Sequence, residues 1–235
     1  MIKKNLAVLA AVFVATFMLA RVAQADTVIN TAADLHNNKP ALDYVFSPPL
    51  AEEMFRFGVE QDKKFGLKPD CKSQYQVKPF SIVVLKPISF EAGKANPTKG
   101  LWMARYQLER CGEAKFYNAF FLANANGDAP AAKAYIPGST NAGPVLVADA
   151  MKSALMTAVV STGQKDCRQI DVFDMRVTTP AHDVVEGDKT FKGVWNEIWT
   201  FRLCGKMQDV AMTFIPDATG GGTSFAAGPV HPDKP

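Results

Sequence analysis

The chain is 235 residues long, 48% hydrophobic and 21% charged, with a formal charge of +3. That excess belongs to Lys3, Lys4 and Arg21, all within the first 25 residues; without them 23 Lys+Arg face 23 Asp+Glu. No run of Lys or Arg is left to suggest nucleic acid or an anionic membrane as partner.

The N-terminus reads as a cleavable export signal. Lys3 and Lys4 form a positive start, Leu6 to Ala20 an apolar core, and Ala23-Gln24-Ala25 an A-x-A cleavage site. Arg21 ends the apolar run short of the about 20 residues that a membrane span needs. Removal of residues 1–25 predicts a periplasmic or secreted protein, and no later stretch reads as long enough to cross a bilayer. Residues 26–49 read as a polar lead-in with little periodicity.

Beyond the lead-in the chain repeats itself. Phe80-x-Ile82-x-Val84-x-x-Pro87 recurs as Phe173-x-Met175-x-Val177-x-x-Pro180, and Lys99-Gly100-Leu101-Trp102 as Lys192-Gly193-Val194-Trp195. Residues 80–127 align without a gap on a copy 93 positions later with 11 identities, among them Cys111-Gly112 with Cys204-Gly205. Chance alone would supply roughly a quarter of that at average residue usage.

Each copy opens on a helical pattern. Leu50, Met54, Phe57 and Phe65 form an apolar stripe, preceded by Pro48-Pro49 and closed by Gly66. Val147, Met151, Ala154, Leu155, Ala158 and Val159 form the second, whose greater hydrophobicity predicts a more completely buried helix. Three strand patterns follow each helix. They cover Phe80 to Lys86, the alternating face Trp102, Ala104, Tyr106, Leu108, and Ala114 to Ala123. The second copy has Val172 to Thr178, then Trp195, Glu197, Trp199, Phe201, then Met207 to Ile215. Glu197 breaks an otherwise apolar face. Longer connections are expected at 88–98 and 181–191, and type II′ turns at Gly112-Glu113 and Gly205-Lys206.

The predicted fold is therefore α+β, a tandem duplication of an α-β-β-β unit in which one helix covers a three-stranded antiparallel meander. The first unit spans 50–127 and the second 145–218, joined by an Ala/Pro/Gly-rich linker at 128–144. A flexible tail follows at 219–235. Cysteines fall one before the first strand and one after the second in each copy, so antiparallel pairing brings each couple together. The expected disulfides are Cys71–Cys111 and Cys167–Cys204, one per repeat, each worth about 4 kcal/mol in the chain-entropy model. No C-x-x-C spacing suggests a metal site.

Enzyme signatures are absent: no G-x-S-x-G, no phosphate-binding glycine loop, and no cofactor motif occurs. Of three histidines, His36 falls in the lead-in and His231 in the tail. His182, Asp183, Glu186 and Asp188 cluster in the connection after Pro180 and form a candidate binding loop, without the spacing of a calcium loop. Glu52, Glu53 and Asp149 stand at helix starts, where negative charge favours the helix dipole. No catalytic, cofactor-binding or metal-binding residue is assigned. The expected function is that of an exported, disulfide-stabilised, non-enzymatic binding protein presenting a two-repeat platform to another exported or envelope protein. A small-molecule or lipid binder, or an envelope assembly factor, is the alternative, and an enzyme centred on His182 the third. In element order alone the chain resembles the secreted β-lactamase inhibitor proteins or a pair of cystatin-like units; that resemblance carries over no residue.

Overall fold

A computed structural model describes residues 35–67, 75–218 and 220–230. The expected signal peptide, Cys71 and His231 lie outside them. In chain order the elements are α1 (Lys39–Val45), α2 (Pro48–Phe65), β1 (Gln76–Ser89), β2 (Lys99–Arg110), β3 (Glu113–Leu122) and β4 (Ala131–Ala134). Then come α3 (Pro144–Thr162), β5 (Ile170–Glu186), β6 (Lys189–Leu203), β7 (Lys206–Pro216) and β8 (Thr223–Pro229).

The strands form two four-stranded antiparallel sheets, ordered β1-β2-β3-β4 and β5-β6-β7-β8. Each is one strand wider than the expected meander. The extra strands come from segments that composition assigned to linker and tail. Ala131–Ala134 pairs along Ala119–Leu122, and Thr223–Pro229 along Val210–Pro216. Such short Ala- and Gly-rich edges carry no periodicity of their own; pairing to a preformed neighbour and burial beside it decide their conformation. Phe225 anchors the last strand, its ring 6.5 Å from that of Phe214.

Part of the lead-in also folds. Asn38 caps α1 by accepting from Ala41 N at 3.2 Å, while its amide donates to Ile88 O at 2.9 Å. Leu35, Ala41 and Val45 are buried in the first core. Helix α2 starts on Pro48-Pro49 and stops at Gly66, whose φ of 68° makes a left-handed cap. It lies close on its sheet at Gly58, where an added Cβ would stand 3.0 Å from Leu108 Cδ2.

Helix α3 reverses an expectation. It buries only the small-residue stripe Val147, Ala150, Ala154 and Ala158, fewer positions than α2 buries. Val145, Met156 and Val160 are exposed. One sheet covers one face, and among the described residues no second layer reaches the rest of its apolar surface. With 19 residues and mean hydropathy 1.4, α3 meets the length and composition of a membrane span, contrary to the sequence expectation. Its alanine stripe nonetheless packs in the second core.

Two cores result, one per sheet. Trp102, Ala104, Tyr106 and Leu108 are all buried beneath α1 and α2. Trp199, Phe201 and Leu203 are buried beneath α3. In both sheets a tryptophan of the second strand stacks on a phenylalanine of the third. Trp102 and Phe121 lie 5.5 Å apart, Trp195 and Phe214 4.9 Å, each pair within 10° of parallel. Both first strands are bulged, β1 between Pro79 and Ser81 and again between Val84 and Lys86, β5 between Val172 and Asp174 and again between Val177 and Thr179.

The hairpin turns sit one residue earlier than expected. Arg110 pairs with Glu113, and Leu203 with Lys206, so the turn residues are Cys111-Gly112 and Cys204-Gly205. Their φ values are 44° and 76° in the first turn, 46° and 85° in the second. Positive φ at both positions is type I′, not type II′, and matches the right-handed twist of the flanking strands. A cysteine therefore occupies a left-handed position in each hairpin.

Candidate functional site

The candidate loop is not a loop. Strand β5 runs on to Glu186 and β6 begins at Lys189, with Glu186 paired to Lys189, Val185 to Thr190 and Val184 to Phe191. His182, Asp183 and Glu186 thus sit on a two-stranded ribbon, and Asp188 in the turn at its tip. Alternation sends His182 and Glu186 to one face and Asp183 to the other. The His182 ring bonds through Nδ1 to Pro180 O at 3.0 Å, which places a proton on Nδ1. Asp183 Oδ1 accepts from Gly193 N at 3.1 Å. Among the described residues no group of three His, Cys, Asp or Glu stands close enough to hold a metal ion.

Cys167 and Cys204 are bonded, with Cα atoms 5.9 Å apart. Cys111 is also disulfide-bonded; its expected mate, Cys71, lies outside the described residues. A disulfide is consistent with an oxidising, extracytoplasmic compartment.

Glu197, the residue that breaks the apolar face of β6, is fully buried. Its Oε1 accepts from Trp195 Nε1 at 2.8 Å, Thr140 Oγ1 at 2.8 Å and Asn141 N at 2.9 Å. Its Oε2 accepts from Trp199 Nε1 at 2.7 Å. Four donors surround one carboxylate, which fastens the inter-sheet segment to the second sheet. The first sheet holds Ala104 at the corresponding place, and among the described residues Trp102 Nε1 has no hydrogen-bond partner.

A second buried cluster lies under α2. Asp62 accepts from the Tyr117 hydroxyl through Oδ1 and pairs with Arg110 through Oδ2. Burial raises the Asp62 carboxyl above its ordinary range, against the opposing pull of Tyr117 and Arg110. Burial, helped by the Asp62 charge, also pushes the Tyr106 and Tyr117 phenols up. Asp62 and Arg110 are each about 2% exposed, so this cluster offers no acid or base to solvent.

The two halves meet along the segment after β4. Tyr135 N and Gly138 N donate to Asn118 O and Phe116 O on β3, and Ser139 N to Met175 O on β5 at 2.7 Å. Gly138 has φ 103°, and an added Cβ would fall 2.2 Å from Met175 N. Beside this seam, Arg202 donates to the Phe65 and Lys64 carbonyls at the end of α2. Asp171 pairs with Arg202 at 3.0 Å and with Lys64 at 2.7 Å. Those two cations, Lys64 first, hold the Asp171 carboxyl below its usual value.

A cleft of about 500 Å³ opens between the halves, lined by Arg110, Lys115 and Phe116 on one side and Phe173, Met175 and Arg176 on the other. Sequence reasoning missed it because its walls come from strands of different sheets. Of its lining residues, Phe173 and Met175 stood out in the sequence only as members of the repeated Phe-x-apolar-x-Val pattern.

No protein-family model matches the chain, and no curated protein or solved structure matches it either. The likeness to inhibitor or cystatin-like units therefore rests on element order alone.

Proposed function

We propose that the chain is an exported binding protein that engages a protein partner through the β5–β6 ribbon. The observation that carries this reading is a contrast between the halves. In the first half the connection between the first two strands serves the fold: Ile88 is buried, Phe90 packs edge-on against Tyr44 at 5.7 Å, and Asn96 donates to Gly127 O. In the second half that stretch is a ribbon whose residues 181–190 are exposed apart from a half-buried Val184. None of it belongs to the second core.

An ordered element with no packing role is free to specialise as a contact surface. Val185 stands exposed near the tip among Glu186, Asp188 and Lys189, an apolar point ringed by charge. The outer edges of such a ribbon also leave backbone groups open to pairing by a partner strand.

The platform behind the ribbon is, on this reading, a duplicated α+β unit. The 93-residue sequence repeat, the paired Trp–Phe stacks, the left-handed cysteines and the two bulges at matching positions support it. Duplication followed by divergence of one connection explains why one copy carries a ribbon and the other a packed loop. The reading is non-enzymatic, and Asp62 and Glu197 act in it as structural carboxylates.

The test is capture from the producing cell's envelope and medium with the oxidised chain, and with a variant in which residues 183–193 are replaced by Asn-Gly. That replacement lets the existing His182–Val194 pair flank a two-residue turn. A stoichiometric partner retained by the intact chain and lost by the variant supports the reading. Equal capture by both removes the ribbon from it.

A further inference from the structure

We propose that the exposed face of α3 docks on the same face of a second copy of this chain, the two helices lying antiparallel across a two-fold axis. This inference stands on α3 and is independent of the ribbon. Val145, Asp149, Lys152, Met156 and Val160 recur at intervals of three and four, which sets them in one stripe along the helix. The stripe lies opposite the buried Val147, Ala150, Ala154 and Ala158, and every member of it is exposed. Val145 is 74% exposed, Val160 66% and Met156 56%. Such spacing is the repeat by which paired helices meet.

The charges decide what covers the stripe. Asp149 and Lys152 are the only charged residues of α3, and both sit in the middle of its apolar stripe. Asp149 lies beyond the first turn, where the helix dipole no longer accounts for it. Among the described residues neither side chain has an ion-pair or hydrogen-bond partner, although the two stand three apart on one face. A lipid surface fits poorly, because an interfacial helix keeps its charges on the face turned away from the acyl chains. A second, antiparallel α3 supplies both opposite charges at once. With the axis between Ala150 and Met151, Asp149 faces the partner's Lys152 and Val145 faces the partner's Met156, each pair occurring twice. Parallel packing would instead set like charges together. The contact is isologous and closes at a dimer. Without residues 1–25 the chain carries 23 charges of each sign, so no net repulsion opposes association. From Val145 to Met156 the contact runs about three turns. That is short of a standard interface of about 1,200–2,000 Å² and sets the expected Kd at about 20–200 µM.

The test is sedimentation velocity on the oxidised chain from Asp26 between about 5 µM and 1 mM, with near-UV circular dichroism to confirm that the variants fold alike. A monomer–dimer equilibrium is expected for the parent. Asp149→Lys and Lys152→Asp each oppose like charges across the axis and should each weaken dimerisation about tenfold. An equimolar mixture of the two single variants should form heterodimers. The double variant, with its charges exchanged, should dimerise within about threefold of the parent. Met156→Ser should weaken the dimer about tenfold. A parent that stays monomeric at about 1 mM overturns the proposal. So does a dimer untouched by either single charge variant, or a double variant that fails to recover. A parent that floats with phosphatidylglycerol vesicles while remaining monomeric in solution overturns it in favour of a lipid surface.

Discussion

Trp199 Nε1 donates to Glu197 Oε2 at 2.7 Å from two residues away on the same face of β6, while Trp195 Nε1 donates to Oε1 from the other side. Glu197→Ala leaves two indole N–H groups, the Thr140 hydroxyl and Asn141 N without their acceptor in a closed core. The expected loss is about 3–5 kcal/mol. Glu197→Gln, which keeps one acceptor but turns an amide NH₂ toward an indole N–H, should cost about 2 kcal/mol. Urea unfolding followed by tryptophan fluorescence measures both, since two of the three tryptophans contact Glu197.

Arg202 caps the C-terminus of α2 from the other half of the molecule. Arg202→Met removes two bonds to terminal carbonyls and one partner of Asp171, with an expected cost of about 2 kcal/mol. A double-mutant cycle with Asp171→Asn should return a coupling of about 1 kcal/mol, because the two side chains touch. Additive effects would mean that the pair does not join the halves.

Acid should loosen the same seam. Lys64 and Arg202 hold the Asp171 carboxyl below the unfolded value of about 3.9, so the unfolded chain binds that proton first. Its stabilising contribution is present above the unfolded value and lost as pH falls through the lower folded one. Asp62, raised by burial, acts with the opposite sign and gains as pH falls. Comparing Asp171→Asn with the parent isolates the first term: the parent's advantage should shrink between about pH 5 and pH 2. A constant difference would contradict it.

Gly138→Ala tests how closely the halves are seated. The added methyl would meet Met175 backbone 2.2 Å away at a φ of 103°. Neither backbone is free to yield, so a loss of about 3 kcal/mol or more is expected, read as a fall in Tm. A neutral result would mean that the inter-sheet segment is not pinned on β5.

Much of this fold was legible in the residues. Alternation placed Trp102, Tyr106 and Leu108 on one buried face, and the antiparallel geometry foretold that Cys167 would reach Cys204. The unread parts have physical reasons. Ala131–Ala134 and Thr223–Pro229 become strands because β3 and β7 present open edges, a tertiary fact that alanines and glycines do not announce. Hydrophobicity predicts that helix α3 is more completely buried than α2, but it counts residues, whereas burial depends on how many layers surround them. Glu197 stood out as an anomaly, but its partners Thr140 and Asn141 lie more than fifty positions away. The ribbon reads as a loop in the sequence because charged residues at 182–188 mask the alternation beneath.

The most direct measurement compares partner binding by the intact oxidised chain and by the chain with residues 183–193 replaced by Asn-Gly, after matching near-UV circular dichroism confirms equal folding. The account predicts one stoichiometric partner bound by the first and released by the second. Undiminished binding by the ribbon-less chain would contradict it.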